Sequence, residues 1–160
     1  MLNDEGTSLL IVAADHPSLD GAVARFAGAL RAESRYFGPT AAANPKPFPS
    51  LVERLSSHHG GFRIAAKLGA DVIGMAGVDD HGDVLIAVAE SERGRGVGTV
   101  LARAVVERAR ALGFTRLVLR SSRRSRAATA LGAAMGFAVV DQGRGRIDLI
   151  LDLAPVTSTA

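Results

Sequence analysis

Arg93-Gly94-Arg95-Gly96-Val97-Gly98 stands between an apolar run, Val84 to Ala89, and a stretch whose apolar residues recur every third or fourth position. The run reads as a strand. Val97, Val100, Leu101, Ala104, Val105 and Leu112 mark one face of a helix that starts near Gly96 and is capped by Gly113. Strand, glycine turn and helix N-terminus together make a socket for an anion. Glycines let backbone approach a ligand closely. The first helical turn has unpaired N–H groups and a partial positive charge. A phosphate or pyrophosphate is the natural occupant, and Arg93 and Arg95 add charge at the rim. The dinucleotide pattern is not met, because its last glycine falls one residue later than Gly98; no Lys-Ser/Thr follows, so a triphosphate loop is excluded as well.

Working outward, Thr7 to Ala14 is a β-like run. Pro17-Ser18-Leu19-Asp20 opens a helix with Ala22, Val23, Phe26 and Leu30 on one face. Pro45, Pro47 and Pro49 make Thr40 to Ser50 a loop, and Leu51, Val52 and Leu55 suggest a short second helix. Phe62 to Lys67, Val72 to Val78 and Asp83 to Ala89 form an antiparallel meander, turning at Gly69 and at Asp79-Asp80-His81-Gly82. Beyond the glycine helix come a strand at Arg116 to Arg120 and a helix at Arg126 to Met135, stopped by Gly136. A closing hairpin of Phe137 to Val140 and Arg146 to Leu153 follows. The order predicts an α/β (α+β) fold: a mixed, mostly antiparallel sheet of about seven strands with helices on both faces. A helix crossover makes the strands at Val84–Ala89 and Arg116–Arg120 parallel. Residues 1–153 are expected to form a single domain and 154–160 a flexible tail.

At 160 residues and 48% hydrophobic content, the chain has enough material for a real core. Without cysteine it has neither a disulfide framework nor a thiolate metal site. His58-His59 has no second ligand set, so no metal is expected. No leader and no membrane-spanning run is read, so the expected location is cytoplasmic. Net charge is +3, and only Lys46 and Lys67 of the 19 basic residues are not arginine. This balance suits an anionic ligand but is too modest for DNA binding, and 4% aromatics argues against a base-stacking surface.

These residues resemble the GNAT superfamily of acyl-CoA-dependent N-acetyltransferases. Its pyrophosphate loop reads Gln/Arg-x-x-Gly-x-Gly/Ala, and Arg93, Gly96 and Gly98 occupy it. A second family pattern, Asn-x-x-Ala-x-x-Leu-Tyr-x-x-x-Gly-Phe, is matched in spacing by Ser125, Ala128, Leu131, Gly132 and Gly136-Phe137, but its Asn and Tyr are missing. The resemblance spans residues 62 to 153. A looser one joins Ser34-Arg35-Tyr36-Phe37-Gly38-Pro39 and Asp83 to Val88 to bacterial protein-lysine acetyltransferases of the Pat type.

The resemblance implies acetyl-CoA as co-substrate, an amine acceptor and direct transfer between them. It implies that the backbone of Ala87 and Val88 pairs with the pantetheine arm. The N–H groups of Arg95, Gly96, Val97, Gly98 and Thr99 would hold the pyrophosphate, with Arg93 and Gly94 completing the loop. A free N–H near Val88 would stabilise the oxyanion. An alkylammonium has a pKa of about 10.4, so a base must take its proton. Asp83 is the first candidate, because it falls where Pat-type proteins carry a glutamate; a solvated residue at a hairpin edge is the plain alternative. Glu90 is the second candidate, though Glu90 and Glu92 also serve to offset the arginines. Ser125 either bonds the pantetheine or caps its helix. Gly132 removes the usual Tyr acid, and Tyr36 is a distant substitute. Arg120, Arg123, Arg124 and Arg126 either meet the 3′-phosphate of CoA or form a solvated surface. Three functions stand: an N-acetyltransferase acting on a protein lysine or a small amine, a catalytically degenerate acyl-CoA-binding regulatory module, and an arginine-rich nucleic-acid binder.

Overall fold

The computed structural model describes residues 8–32 and 61–154. Strand β1 (Leu9–Ala13) leads through a 3-10 turn at Pro17–Leu19 into α1 (Asp20–Ala32). The Nδ1 of His16 accepts the Ser18 N–H at 3.2 Å and so caps the turn. The predicted Pro-rich loop, the second short helix, the Ser34–Pro39 segment, Tyr36 and His58-His59 lie outside the described residues.

Strands β2 (Phe62–Leu68), β3 (Asp71–Val78) and β4 (Val84–Val88) form the predicted meander. With β1 they make a four-stranded antiparallel sheet ordered β1-β2-β3-β4. Next come α2 (Val97–Ala111), β5 (Arg116–Ser122), α3 (Arg126–Met135), β6 (Ala138–Gly143) and β7 (Arg146–Asp152). The last three strands form a second antiparallel sheet ordered β5-β7-β6. The strands therefore divide four and three, and one parallel bridge, Asp83 to Val118, joins the sheets. β5 and β6 outrun their expected ends because β7 pairs with both as far as Arg146.

β3 is buried from Val72 to Val78 because helices cover both its faces. On one face Phe26 and Leu30 of α1 meet Ala65, Val72 and Met75. On the other, Val97, Leu101 and Val105 of α2 meet Ile73, Ala76 and Val84. Truncating the fully buried Leu101 to Ala would cost about 3 kcal/mol. Gly74 sets how closely α2 lies on the sheet. A Cβ there would sit 2.9 Å from Leu101 Cδ1 and 3.3 Å from Val97 Cγ1. That close seat brings the N-terminus of α2 beside the end of β4. At its far end, Arg108 of α2 lies 5.5 Å from the Phe62 ring centre, and Phe62 meets Phe114 edge-on. Among the described residues, no helix is long and apolar enough to cross a membrane.

Candidate functional site: a slot between two splayed strands

The one backbone bridge between β4 and β5 among the described residues lies just before β4, where the Val118 N–H donates to the Gly82 carbonyl at 2.9 Å. Beyond that bridge β4 pairs only with β3, and β5 only with β7, so an open slot separates them. The direction of each peptide on β4 follows from two hydrogen bonds. Ala89 N–H donates to Ile73 O at 2.8 Å, and Asp79 N–H donates to Asp83 O at 3.1 Å. Peptide groups alternate sides along a strand, so those of residues 83, 85, 87 and 89 face β3. Those of Val84, Ile86 and Val88 face the slot. Ala87, expected with Val88 as the pairing edge, is thus paired to Met75 of β3 and has no backbone group to offer. The edge belongs to Ile86 and Val88. Sequence reading missed Ile86, although a period of two from Val88 would have found it.

At the open mouth a 3-10 turn, Glu90–Glu92, leads into the glycine loop. Gly94 and Gly96 have φ of 77° and 84°, a region that L side chains enter at a cost of about 1–2 kcal/mol. Gly96 is the N-cap of α2, no side chain caps the helix, and its first turn holds no acid. The first intrahelical bond is Val100 N–H to Gly96 O, which leaves the N–H groups of Val97, Gly98 and Thr99 without helical partners. Gly98 is helical, and an added Cβ would meet only Val88 Cγ2, at 3.8 Å. Among the described residues nothing demands glycine there. Each arginine has a neighbour within the chain. Arg93 Nε donates to the Val88 carbonyl at 3.0 Å, and Arg95 lies 3.7 Å from Glu92. Glu90 is exposed.

The slot is floored by an apolar cleft lined by Ile86, Val106, Leu119, Leu131, Gly132 and Phe137 among others. Gly132 is buried against β7, where a Cβ would come within 3.1 Å of Leu149 Cδ1. Leu149 therefore fills the space beside residue 132, and no larger side chain fits there unless Leu149 moves. Ser125 is the N-cap of α3, its oxygen accepting the Ala128 N–H at 3.2 Å.

At the blind end, Asp83 Oδ2 accepts from Arg120 Nη1 at 2.6 Å. Arg123 pairs with Asp141, and its backbone N–H donates to Gly145 O at 2.8 Å. Two members of the basic cluster thus already have carboxylate partners, which sequence reading did not foresee. Among the described residues, no group of three or more His, Cys, Asp or Glu is placed to hold a metal ion.

A glycine loop at an uncapped helix N-terminus, set at the mouth of a slot between parallel strands, is the arrangement the sequence motifs pointed to. Residues 27–137 match the model of the Acetyltransferase (GNAT) family. The chain belongs to the GNAT acetyltransferase family. Solved GNAT structures share its fold. An acetyltransferase from Streptococcus pneumoniae superposes with a TM-score of 0.69 at 21% identity, over 92% of this chain and 100% of that one. YncA, a putative acetyltransferase from Salmonella typhimurium solved with acetyl-CoA, gives 0.70 at 17% identity, over 95% of this chain and 98% of that one. The GNAT domain of PAT from S. lividans gives 0.71 at 19% identity, over 96% and 95%. No protein of curated function matches the chain. In this GNAT domain, therefore, the loop, the slot-facing β4 edge and the slot belong to an acetyltransferase fold, while Gly132 departs from the family pattern.

Proposed function

We propose that this protein transfers an acetyl group from acetyl-CoA to a primary amine that carries positive charge. The observation that carries the donor half is Gly98. Helix propensity favours Ala over Gly by about 1 kcal/mol, and no neighbour opposes a Cβ at this position. A glycine kept there fits a ligand lying against the free N–H groups of Val97, Gly98 and Thr99. The pyrophosphate of acetyl-CoA suits that place, and its pantetheine arm suits the edge groups of Ile86 and Val88. When bound, the thioester supplies an activated acetyl carbonyl. The N–H of Val88 faces the slot and is the donor for the oxygen that gains charge during transfer. The Val88 carbonyl is already held by Arg93, which stiffens the edge next to that donor.

The acceptor half rests on the blind end. Asp79, Asp83 and Asp148 gather there around one guanidinium, so an ammonium is drawn in and an anionic acceptor is disfavoured. Asp83 stands where the two strands part, and it takes the proton that an alkylammonium must lose before it attacks. Glu90, exposed at the mouth, is the weaker candidate. Both a protein lysine and a small polyamine satisfy this chemistry.

A second reading, an acyl-CoA-binding module without turnover, is favoured by Gly132, which stands where the family pattern has a Tyr and has Leu149 packed beside it. Two measurements separate the readings. Calorimetry with acetyl-CoA is expected to show binding in the micromolar range; silence at millimolar ligand would end both. Thiol release from acetyl-CoA across a panel of amines is expected for the enzyme, whereas tight binding with no release above background establishes the module.

A further inference from the structure

The backbone of Asp83 is fixed without any help from Arg120. Its N–H donates to Asp79 Oδ1 at 2.9 Å, its carbonyl accepts the Asp79 N–H, and the bridge to Val118 locks the next peptide. The side chain is held differently. Oδ2 accepts from Arg120 Nη1 at 2.6 Å, and Oδ1 has no protein partner among the described residues. Arg120 springs from β5 two residues past the bridge. Leu117 and Leu119 turn toward the α2 core, so Arg120 lies on the opposite face by alternation and reaches back across the base of the slot. Asp148 stands opposite Arg120 on β7 and is itself bonded to Gln142 at 3.0 Å. The hydrogen bond that Arg120 donates to Asp83 raises the pKa of its guanidinium, and the charges of Asp83, Asp148 and Asp79 add to this against a lowering by partial burial. Of these carboxylates, Asp83 is the one that the guanidinium touches.

We infer that Arg120 is a positioning residue for acetyl transfer: by holding Oδ2 it fixes the Asp83 carboxylate so that Oδ1 receives the proton of the acceptor amine. This rests on Asp83 as the base. One N–H bond of the ammonium breaks and the proton joins Oδ1; the lone pair left on nitrogen forms the N–C bond at the thioester carbonyl, the C–S bond breaks, and the departing CoA thiolate takes the second proton that the nitrogen releases. The carboxylic acid then returns the proton to water. With 63% of its side chain exposed, Arg120 adds little to the fold, so its loss is felt in the reaction and not in folding. Lysine restores the charge but not the planar fork, so it restores only part of the function.

The test is steady-state thiol release from acetyl-CoA with n-butylamine and with Nα-acetyl-lysine amide. It compares wild type, Asp83→Asn, Arg120→Met and Arg120→Lys, each with its melting temperature. Asp83→Asn is expected to lower kcat about 100-fold. Arg120→Met is expected to lower kcat about ten-fold with the KM for acetyl-CoA within two-fold of wild type, and Arg120→Lys to recover part of that loss. If Asp83→Asn turns over like wild type, or wild type releases no thiol with either amine, the base reading fails and the inference falls with it. If Asp83→Asn is slow but Arg120→Met keeps its kcat, Asp83 stands and the positioning role is overturned. A lower acceptor KM in Arg120→Met, with kcat unchanged, would overturn it too, by showing that Arg120 merely competes with the amine.

Discussion

At the mouth of the slot, what faces a ligand is backbone: the N–H groups of Val97, Gly98 and Thr99 and the edge of Ile86 and Val88. At the blind end it is charged side chain: Asp83, Arg120 and Asp148. The mouth is built from one continuous stretch, β4 through the first turn of α2. The blind end is assembled from the β3–β4 turn, β5 and β7, which are far apart in sequence. Backbone donors suit an anion whose chemistry is invariant, and they tolerate changes of side chain. Charged side chains discriminate among amines, and a single substitution redirects them. Under the proposed function, donor binding and acceptor choice fall to two physically separate devices, which point mutations should uncouple.

The largest effect is expected where the two limbs join. Gly82 has φ of 87°, and a Cβ there would stand 2.3 Å from the Arg116 carbonyl oxygen. Gly82→Ala should cost on the order of 3 kcal/mol or more in urea unfolding, because a strained backbone and a clash fall on the one bridge that joins the sheets among the described residues. A loss below about 1 kcal/mol would show that the blind end yields more easily than its geometry implies.

The next effect should touch the mouth alone, and with opposed signs. Gly98→Ala is expected to weaken acetyl-CoA binding at least ten-fold, about 1.4 kcal/mol by calorimetry. The same change should stabilise the ligand-free protein by up to about 1 kcal/mol. Loss of stability together with loss of binding would mean that Gly98 serves packing instead of a ligand.

The smallest effect is on stability at the blind end. Arg120→Met should shift unfolding by less than about 1 kcal/mol, as expected of an exposed ion pair. Its partners raise the guanidinium pKa above the ordinary value, so the stabilisation is complete below that value and is lost only as pH rises through the folded-state pKa. The difference between wild type and Arg120→Met should therefore stay constant from about pH 7 to 10 in thermal melts. A difference that changes within that window would mean that another titrating group governs the pair.

The mouth was legible because its information is local. Glycines, an apolar period of three to four and a preceding strand occur within residues 84–112, and the structure builds strand, loop and helix from them. The meander and the closing hairpin were legible for the same reason. Three features were not. The peptide direction that excludes Ala87 and admits Ile86 depends on which edge of β4 meets β3. The reach of Arg120 to Asp83 depends on a bridge between residues 35 positions apart. The packing of Leu149 against Gly132 depends on α3 settling over β7. Arg123 shows the limit of reading charge by proximity in sequence, since the cluster was open to a phosphate or a solvated surface and Arg123 is met instead by Asp141 from β6.

By itself the sequence determined the elements, their order and the glycine turn before α2, since dihedral preference and hydrophobic periodicity act between near neighbours. Tertiary structure alone decided that the seven strands part into two sheets, which peptide groups line the gap between them, and which carboxylates answer which arginines. Those outcomes turn on contacts between distant segments, where pairing and charge are settled only once the chain has closed on itself.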